Sequence, residues 1–594
     1  MSTFTTRPEI KGTFGVVGST HWLASAAGMG ILEKGGNAFD AAVAMGFALQ
    51  VVEPHLNGPG GEVPIIFHSA KTGKGEVLCG QGTAPAGATI EHYRREGLDL
   101  VPGTGLLATV IPGAFDAWMQ LLRDHGTMKP AEVLSYAIGY AEKGYALVPL
   151  ICATIERVED LFLTEWEGSR ALYMADGKVP EPGTLFRNRQ LAETYKRIVA
   201  EAEAAGGDRE AQIEAARRTW SQGFIAEAID RFASSTPTMD SSGERHLGVI
   251  TGQDMADWQA HYEEPTSVDY HGYRFCKGGF WSQGPVFLQQ MRLLEGFDLA
   301  SLDPRGPEFV HLITEACKLA MADREGYYGD PKFVDVPEET LLSRAYAEER
   351  RKLIGETASL EIIPGSIEGY DPRVIYGLDE DDDDFDATGA GEPTVQTDGQ
   401  TKGDTCHIDV IDRWGNMVSA TPSGGWLQSS PVIPELGFCL NSRAQMFWLE
   451  EGVPAALAPG KRPRTTLSVN LVYREEEPYM VFGTPGGDRQ DQWTVGFLLR
   501  HLHHGMNLQE SIDCPMWQTD HFPSSFWPRN ADLGSLTLED RFPKATVEGL
   551  KERGHKVTLV DGWSLGRISA ATKEGDLLKA AANPRFNQGY AIGR

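Results

Sequence analysis

An acidic segment in the second half of the chain limits how this sequence can fold. Between Asp379 and Asp404 there are ten acidic residues and one base, Lys402. From Gly365 onward the chain is also rich in Gly, Thr and Pro. Such a composition cannot bury enough apolar surface to offset the entropy lost on ordering it. We therefore predict a flexible acidic tail over about residues 365–404, directly before ordinary folded sequence.

The rest of the chain has the composition of a globular protein. Of 594 residues, 41% are hydrophobic and 23% are charged, which excludes a disordered or fibrous chain. The net charge is −29, and the acidic segment carries −9 of it (one base minus ten acids). A charge of this sign repels phosphate, so we predict no nucleic-acid and no anionic-membrane partner. The sequence contains no apolar run of about 18 residues, so we predict no membrane-spanning helix.

The cysteines and the first residues favour a cytoplasmic location. Seven cysteines are scattered along the chain, and none forms a C-x-x-C pair. Such a set is typical of reduced thiols rather than of a disulfide framework. Residues 1–12 lack the apolar stretch of a signal peptide.

Strand and helix signals alternate along the chain. The pair Gly35-Gly36 predicts the end of a helix over residues 21–34, and Asn37 predicts the N-cap of a buried helix over residues 38–52. Further predicted elements are a strand at 63–67, a helical stretch at 210–234, a strand at 405–412, a turn at 413–416 and a return strand at 417–421.

Several common site motifs are absent or incomplete. There is no phosphate-binding G-x-x-x-x-G-K-[ST] motif and no G-x-G-x-x-G after a strand, and we predict no cofactor. His501, His503 and His504 lie on a predicted helix without a nearby acidic or Cys ligand, so we predict no metal site. Residues 562–566 have the G-x-S-x-G form of a serine-hydrolase elbow. The last histidine, His555, precedes this elbow, whereas in that fold the histidine follows the serine.

Thr405 is a second candidate nucleophile, besides the serine of the elbow-like motif. A threonine hydroxyl attacks a carbonyl only when a base removes its proton. If the Asp404–Thr405 bond is cut, Thr405 gains a free α-amino group with a pKa of about 7.7–8, which can be that base. Backbone N–H groups of the turn Gly486-Gly487 could form an oxyanion hole. The alternative is that Thr405 is an ordinary strand residue and the glycines an ordinary turn.

Six motifs follow one another over most of the chain, at residues 35–44, 83–85, 111–114, 403–407, 460–466 and 485–487. In this combination the sequence resembles the γ-glutamyltransferase (γ-glutamyltranspeptidase) family of N-terminal-nucleophile (Ntn) hydrolases. The combination is far more specific than any one motif, and it favours Thr405 as the nucleophile.

The resemblance implies an α+β fold, a four-layer αββα sandwich formed as one composite domain from one self-cleaving precursor. Cleavage between Asp404 and Thr405 would give a large subunit, residues 1–404, and a small subunit, residues 405–594. Thr405 would then attack a substrate amide, and the acyl group would pass from Thr405 to water or to an amine.

The resemblance also implies roles for other residues. Gly486 and Gly487 would hold the oxyanion. Ser423 takes the place of a threonine that supports the nucleophile, so it is predicted to be catalytic. Thr465 and Thr466 take the place of a serine pair that binds the substrate carboxylate.

The substrate-binding residues depart from the family pattern. Where γ-glutamyl enzymes have an arginine that clamps the donor carboxylate, this chain has Ile90, and a family asparagine corresponds to Gly425. In the family, an acid in the stretch that corresponds to residues 441–446 pairs with the donor amino group. This chain lacks that acid and has Arg443 in the stretch, which the family pattern does not have. We predict Asn441 and Arg443 to bind substrate, with Arg443 as the cation for a carboxylate-bearing acyl group. The alternative for Arg443 is a structural ion pair.

These departures favour an amidase or acylase for an acid-bearing amide other than a standard γ-glutamyl compound. One alternative is a true γ-glutamyltransferase or glutathione hydrolase with an altered donor site, and another is a catalytically inactive binding homologue. A metal-dependent amidohydrolase is a further class, for which the sequence offers no convincing ligand set. The expected partners are a small-molecule amide and the two subunits of one precursor.

Overall fold

The computed structural model describes residues 4–378 and 405–594, which form a mixed fold of helices and strands, as predicted. The strands are β1 Ile10–Gly12, β2 Gly15–Ser19, β3 Val63–Ser69, β4 Lys74–Gly80, β5 Tyr145–Ala146, β6 Leu185–Phe186, β7 Thr238–Met239, β8 Arg245–His246, β9 His261–Glu263, β10 Thr266–Tyr270, β11 Tyr273–Lys277, β12 Gly377–Leu378, β13 Ile408–Asp412, β14 Met417–Ala420, β15 Asn470–Arg474, β16 Glu477–Gly483, β17 Trp517–Gln518, β18 Asn530–Ala531, β19 Ser535–Glu539, β20 Lys556–Val560, β21 Ser569–Glu574, β22 Leu577–Ala582 and β23 Tyr590–Gly593.

The helices surround these strands. They are α1 Trp22–Glu33, α2 Ala38–Val52, α3 Ile90–Arg95, α4 Ala114–His125, α5 Pro130–Lys143, α6 Pro149–Arg157, α7 Glu159–Thr164, α8 Glu167–Tyr173, α9 Arg189–Ala204, α10 Arg209–Gln222, α11 Phe224–Ser235, α12 Gly252–Asp257, α13 Gly284–Leu294, α14 Pro307–Tyr327, α15 Glu338–Leu341, α16 Arg344–Arg351, α17 Gln490–His504, α18 Leu508–Asp513 and α19 Lys544–Glu552.

Two sheets of seven strands each carry the fold. One has the strand order β1-β22-β21-β16-β15-β11-β10, and the other has the order β23-β2-β13-β14-β3-β4-β9. Neighbouring strands are antiparallel throughout both sheets. Each sheet combines strands from before and after the acidic segment, so neither part of the chain completes a sheet alone.

The two faces of these strands contact different neighbours. On β13, Val410 packs in a core with residues of α1, α2 and α5, whereas the next residue, Ile411, packs against the other sheet. On β16, Met480 packs in a core with residues of α13 and α17, whereas Val481 joins the cluster that contains Ile411. This is the alternation that a strand imposes when both of its faces are buried.

The predicted helices over residues 21–34 and 38–52 are confirmed as α1 and α2. Gly35 follows α1 with a φ of +95°, a left-handed conformation that glycine adopts without strain. Asn37 Oδ1 accepts hydrogen bonds from Phe39 N and Asp40 N, both at 3.0 Å, and Asp40 Oδ2 accepts from Asn37 N at 2.9 Å. This capping box fixes the start of α2, all of whose residues are buried.

The helical stretch predicted over residues 210–234 is confirmed, but it forms two helices. Gly223 ends α10 and begins α11, with extended dihedrals of φ −104° and ψ −153°. Glycine is unfavourable inside a helix, and the break lets the two helices pack separately.

The first part of the predicted acidic tail lies against the fold. Gly365 N donates to Asp323 Oδ1 at 2.7 Å, and β12 pairs in parallel with β18. Residues 379–404, including Asp404, lie outside the described residues, so the flexibility predicted for them stays a prediction. No helix in the described part of the chain is long and apolar enough to cross a membrane.

Candidate active site

Thr405 lies beside Ser423 in the interior of the fold. The strand predicted from residue 405 begins at Ile408, and Thr405 itself forms an isolated antiparallel bridge with Ser423. Cys406 N donates to Pro422 O at 2.9 Å and holds the two segments together. Thr405 Oγ1 is 3.2 Å from Ser423 Oγ, and the two residues are 0% and 1% exposed. The structure therefore brings together the two predicted hydroxyl groups.

Ser423 is held by the glycine-rich loop before β3. Ser423 N donates to Glu62 O at 3.0 Å, and Glu62 N donates to Ser423 O at 2.9 Å. Gly424 has a φ of +77°, and a Cβ there would be 2.5 Å from the Glu62 carboxylate. A side chain at position 424 would therefore displace Glu62, which explains the need for glycine at this position.

Arg443 joins Ser423 to Glu62. Its Nε donates to Glu62 Oε1 at 2.6 Å, and its Nη2 donates to Ser423 Oγ at 2.7 Å. The side chains of Arg443 and Glu62 are both fully buried. Arg443, which the sequence predicted to bind a substrate carboxylate, thus contacts Ser423, the neighbour of the candidate nucleophile, and belongs to an internal ion pair.

Sequence reasoning missed Glu62. Burial raises the pKa of Glu62 to about 7, and the Arg443 guanidinium opposes that rise. Glu62 follows the glycine-rich stretch of residues 57–61 and belongs to no recognisable motif. Its partner Arg443 is far away in the sequence, so only the folded arrangement of the two chain segments reveals the contact.

Asn441 connects three backbone segments. Its Nδ2 donates to Gly60 O at 2.8 Å and to Val110 O at 2.9 Å. Its Oδ1 accepts from Val110 N at 3.0 Å and from Arg443 N at 3.1 Å. Both amide hydrogens are therefore used on backbone carbonyls, and the side chain positions Arg443.

The turn that contains Gly486 and Gly487 follows β16, whose end lies against the start of β13. A Cβ at Gly483 would be 2.2 Å from the His407 ring, which places these two strand ends in contact. Gly486 has a φ of +131° and Gly487 a φ of +51°. A Cβ at Gly486 would lie 2.2 Å from the Trp493 ring, so this turn tolerates only glycine there.

Asp488 anchors this turn in a buried polar network. Its carboxylate accepts hydrogen bonds from Ser525 N at 2.9 Å and from Ser525 Oγ at 2.6 Å, and it pairs with Arg324. Burial raises the pKa of Asp488, but the charges of Arg324 and Arg489 and the hydrogen bonds from Ser525 together lower it. The backbone of Gly487 is therefore attached to a rigid neighbour, as an oxyanion hole requires.

Thr465 and Thr466 are both buried but differ in their contacts. Thr465 pairs with the segment before α13, because Gln283 N donates to Thr465 O at 2.8 Å. Its Oγ1 is 3.4 Å from Leu467 N. Thr466 Oγ1 has no hydrogen-bond partner among the described residues. A buried hydroxyl in this state is unusual and suits a group that contacts a ligand.

Two groups of side chains in the described ranges have the ligand types of a metal site, and neither contains a predicted catalytic residue. In the first, His311 Nδ1 lies 2.8 Å from His555 Nε2, and Glu315 pairs with Lys318 at 2.7 Å. The second is Cys79, His261 and Glu263, in which Glu263 pairs with Arg462 at 2.5 Å. In both groups the acid is already neutralised by a cation, which disfavours a bound metal ion.

The other histidines and the elbow-like motif have structural contacts. His501 contacts Tyr479 Oη at 2.8 Å, and His503 contacts Tyr270 Oη at 2.7 Å. Ser564 Oγ donates to Asp561 O at 2.6 Å within its own turn. These contacts agree with the structural interpretation of both motifs.

Comparison with known proteins places the chain among amide hydrolases. It is 30% identical to the glutathione hydrolase-like YwrD proenzyme of Bacillus subtilis (strain 168), over 98% of this chain and 99% of that protein. It is 32% identical to the acylase ACY 1 proenzyme of Pseudomonas sp. (strain SE83), over 92% of this chain and 88% of that protein. The solved structure of LmbA2991T421A shares 54% identity with this chain at a TM-score of 0.94, and the match covers 100% of both chains.

The family profile described as gamma-glutamyltranspeptidase matches residues 24–593, nearly the whole sequence. This match and the relatives named above indicate an amide hydrolase or acyltransferase of the Ntn type. The chain belongs to the gamma-glutamyltranspeptidase family.

Proposed function

We propose that this protein is a self-processing amidohydrolase that acts through a covalent acyl-Thr405 intermediate. The observation that carries the proposal is the buried hydroxyl pair of Thr405 and Ser423, 3.2 Å apart, at the start of the second chain part. The glycine turn after β16 supports it, because the end of that strand contacts the segment that begins with Thr405.

Cleavage of the Asp404–Thr405 bond activates the nucleophile. The new α-amino group takes the proton of Thr405 Oγ1 while this oxygen attacks the amide carbonyl. Backbone N–H groups of Gly486 and Gly487 stabilise the oxyanion. The amine leaves with a proton, and water or an amine then accepts the acyl group from Thr405.

The proposal includes the architecture of the processed protein. Residues 1–404 form the large subunit and residues 405–594 the small subunit. The two sheets, which pack on one another and carry helices on their outer faces, form the four-layer αββα sandwich of the Ntn hydrolases. We further propose a cytoplasmic location, which the seven free cysteines support.

The donor we propose is a carboxylate-bearing amide other than a standard γ-glutamyl compound. Ile90, where the family has its clamping arginine, cannot bind a carboxylate, whereas Arg443 lies 2.7 Å from Ser423 Oγ. Arg443 would then contact the acid of the donor. The similarity to the relative named acylase ACY 1 supports an acylase activity.

A second candidate is a glutathione hydrolase with an altered donor site. The relative named glutathione hydrolase-like YwrD favours it. Rates on γ-glutamyl-p-nitroanilide and on a panel of other acid-bearing and neutral amides separate the two candidates. Arg443→Ala should lower kcat/KM at least tenfold more on acid-bearing amides than on neutral ones, because only the acid-bearing donors also lose a charged contact. Equal losses on both classes would reject the carboxylate contact.

Denaturing gel electrophoresis tests the mechanism. The wild type should give two bands, the smaller of about 21 kDa (65.0 kDa × 190/594), and Thr405→Ala should give one. A single uncut band from the wild type would reject self-processing. It would leave the binding homologue if the protein is inactive and the metal-dependent class if it is active. Loss of activity with EDTA would specifically favour the metal-dependent class.

A further inference from the structure

The Arg443 contact limits the hydrogen bonds that Ser423 can make. A guanidinium has only donors, so Ser423 Oγ must accept the hydrogen bond from Arg443 Nη2 at 2.7 Å. The single proton of Ser423 is then directed to another acceptor. Thr405 Oγ1 lies 3.2 Å away, a distance at which either hydroxyl can be the donor, and it is able to accept this proton.

Glu62 holds the guanidinium in this orientation. Its Oε1 accepts from Arg443 Nε at 2.6 Å, and the backbone of Glu62 is paired with that of Ser423. The Trp426 ring lies 5.0 Å from the guanidinium carbon. Glu62 therefore fixes both the arginine and the segment that carries Ser423.

We propose that Glu62 is a positioning residue that acts through Arg443 and Ser423 to set the direction of the hydrogen bond at the nucleophile. In this arrangement Ser423 donates to Thr405 Oγ1, and the proton of Thr405 faces its own α-amino group. This inference rests on the proposed function of Thr405.

The direction matters for the acylation step. As the Oγ1–C bond forms, the proton of Thr405 moves to the α-amino nitrogen, and the carbonyl electron pair moves to the oxyanion. Ser423 keeps its own proton and stabilises the charge that builds on Oγ1. If Thr405 instead donated to Ser423, its proton would lie away from the base and the attack would be slower.

The experiment uses p-nitrophenyl acetate, a neutral ester, so that any contact between Arg443 and a donor carboxylate has no influence. Release of p-nitrophenol is measured for the full-length protein, normalised to the cleaved fraction on a denaturing gel and corrected for Thr405→Ala. Glu62→Ala should lower kcat about 10- to 100-fold, with KM changed less than about twofold. Glu62→Gln, which keeps an acceptor for Arg443, should restore most of kcat.

A double-mutant cycle separates positioning from general destabilisation. If Glu62 acts through Ser423, Glu62→Ala should change kcat less than about twofold when Ser423 is already alanine. Glu539→Gln is the matched control for Glu62→Gln, because Glu539 is a fully buried acid whose carboxylate pairs with Arg585 at 3.1 Å. The control should keep the wild-type kcat per folded molecule.

Two results would overturn the inference. One is a kcat for Glu62→Ala equal to that of the wild type, and the other is the same fold loss in the Ser423→Ala background. Failure of the proposed function looks different, because the wild type would then remain uncut or Thr405→Ala would release p-nitrophenol as fast as wild type.

Discussion

The thiol of Cys406, the residue after the candidate nucleophile, donates a hydrogen bond to the buried carboxylate of Glu53 over 3.0 Å. Burial raises the pKa of the Cys406 thiol, so this group keeps its proton and can donate. Asn57 Nδ2 donates to the same sulfur at 3.1 Å. The segment that carries Thr405 is therefore attached to the end of α2 through a side chain that points into the interior.

We expect Cys406→Ala to destabilise the protein more than Cys406→Ser. Alanine removes a donor from a buried carboxylate, which costs about 1–3 kcal/mol in the free energy of unfolding, whereas serine keeps a donor. Urea denaturation of both variants measures the difference. Equal losses would show that the volume of the thiol, and not its hydrogen bond, stabilises this segment.

Gly486→Ala should abolish catalysis. The left-handed φ of +131° and the 2.2 Å approach to the Trp493 ring leave no room for a methyl group. Displacement of the turn should lower kcat by about 100-fold or more, the usual effect of losing an oxyanion donor. Steady-state rates measure the loss of kcat, and the thermal midpoint measures how far the displaced turn destabilises the protein.

Gly505→Ala, at the other end of α17, is the control for this substitution. Gly505 also has a left-handed φ, +64°, but a Cβ there meets nothing within 4 Å. It should cost about 1 kcal/mol of stability and leave kcat unchanged. If both alanine variants lost the same activity, the glycine turn would have no special role in catalysis.

Thr466→Val should raise KM without destabilising the protein. The buried Thr466 hydroxyl has no hydrogen-bond partner in the described ranges, so replacing it with a methyl group loses no internal bond. If the hydroxyl contacts the substrate carboxylate, KM should rise about tenfold, while Thr466→Ser should stay close to wild type. An unchanged KM with a higher thermal midpoint would mean that Thr466 is only a packing residue.

Glu263 should stabilise the protein at neutral pH and lose this effect in acid. Its contacts with His261, Arg462 and Trp281 outweigh burial and lower its pKa from 4.5 to about 2. A carboxylate with a lowered pKa adds stability above its unfolded pKa, and this contribution falls as the pH drops from 4.5 towards 2. The shift corresponds to about 3 kcal/mol of stability at pH 7.

Urea denaturation of wild type and Glu263→Gln at neutral and acidic pH tests this dependence. The variant should be less stable at pH 7, and the difference should shrink below about pH 4. A difference that stayed constant over this range would mean that the hydrogen bonds of Glu263, and not its charge, carry the effect.

Local sequence signals correctly predicted helices that begin or end at a residue with a strong conformational preference, such as a glycine or an N-cap asparagine. Gly35 and Asn37 mark the boundary between α1 and α2 because each determines its own backbone conformation. Gly223 was missed because the apolar spacing continues across it, and only the packing of α10 and α11 shows the break.

The same limit applies to the site. Motifs and family resemblance predicted Thr405, Ser423 and the glycine turn, and the structure brings the two hydroxyl residues together. Arg443 and Glu62 come from segments that are distant in the sequence and meet only in the folded chain. The residues around Glu62 therefore give no indication of this contact.

The interleaving of strands has a consequence for a cut chain. In the second sheet, β13 and β14 lie between β2 and β3, while β23 closes the far side of β2. In the first sheet, β1 pairs with β22 at one edge and β11 pairs with β15 within the sheet. Separating the two products would break backbone ladders at several places at once. Dilution alone would therefore not release either product, and a cleaved molecule should unfold as a single cooperative unit.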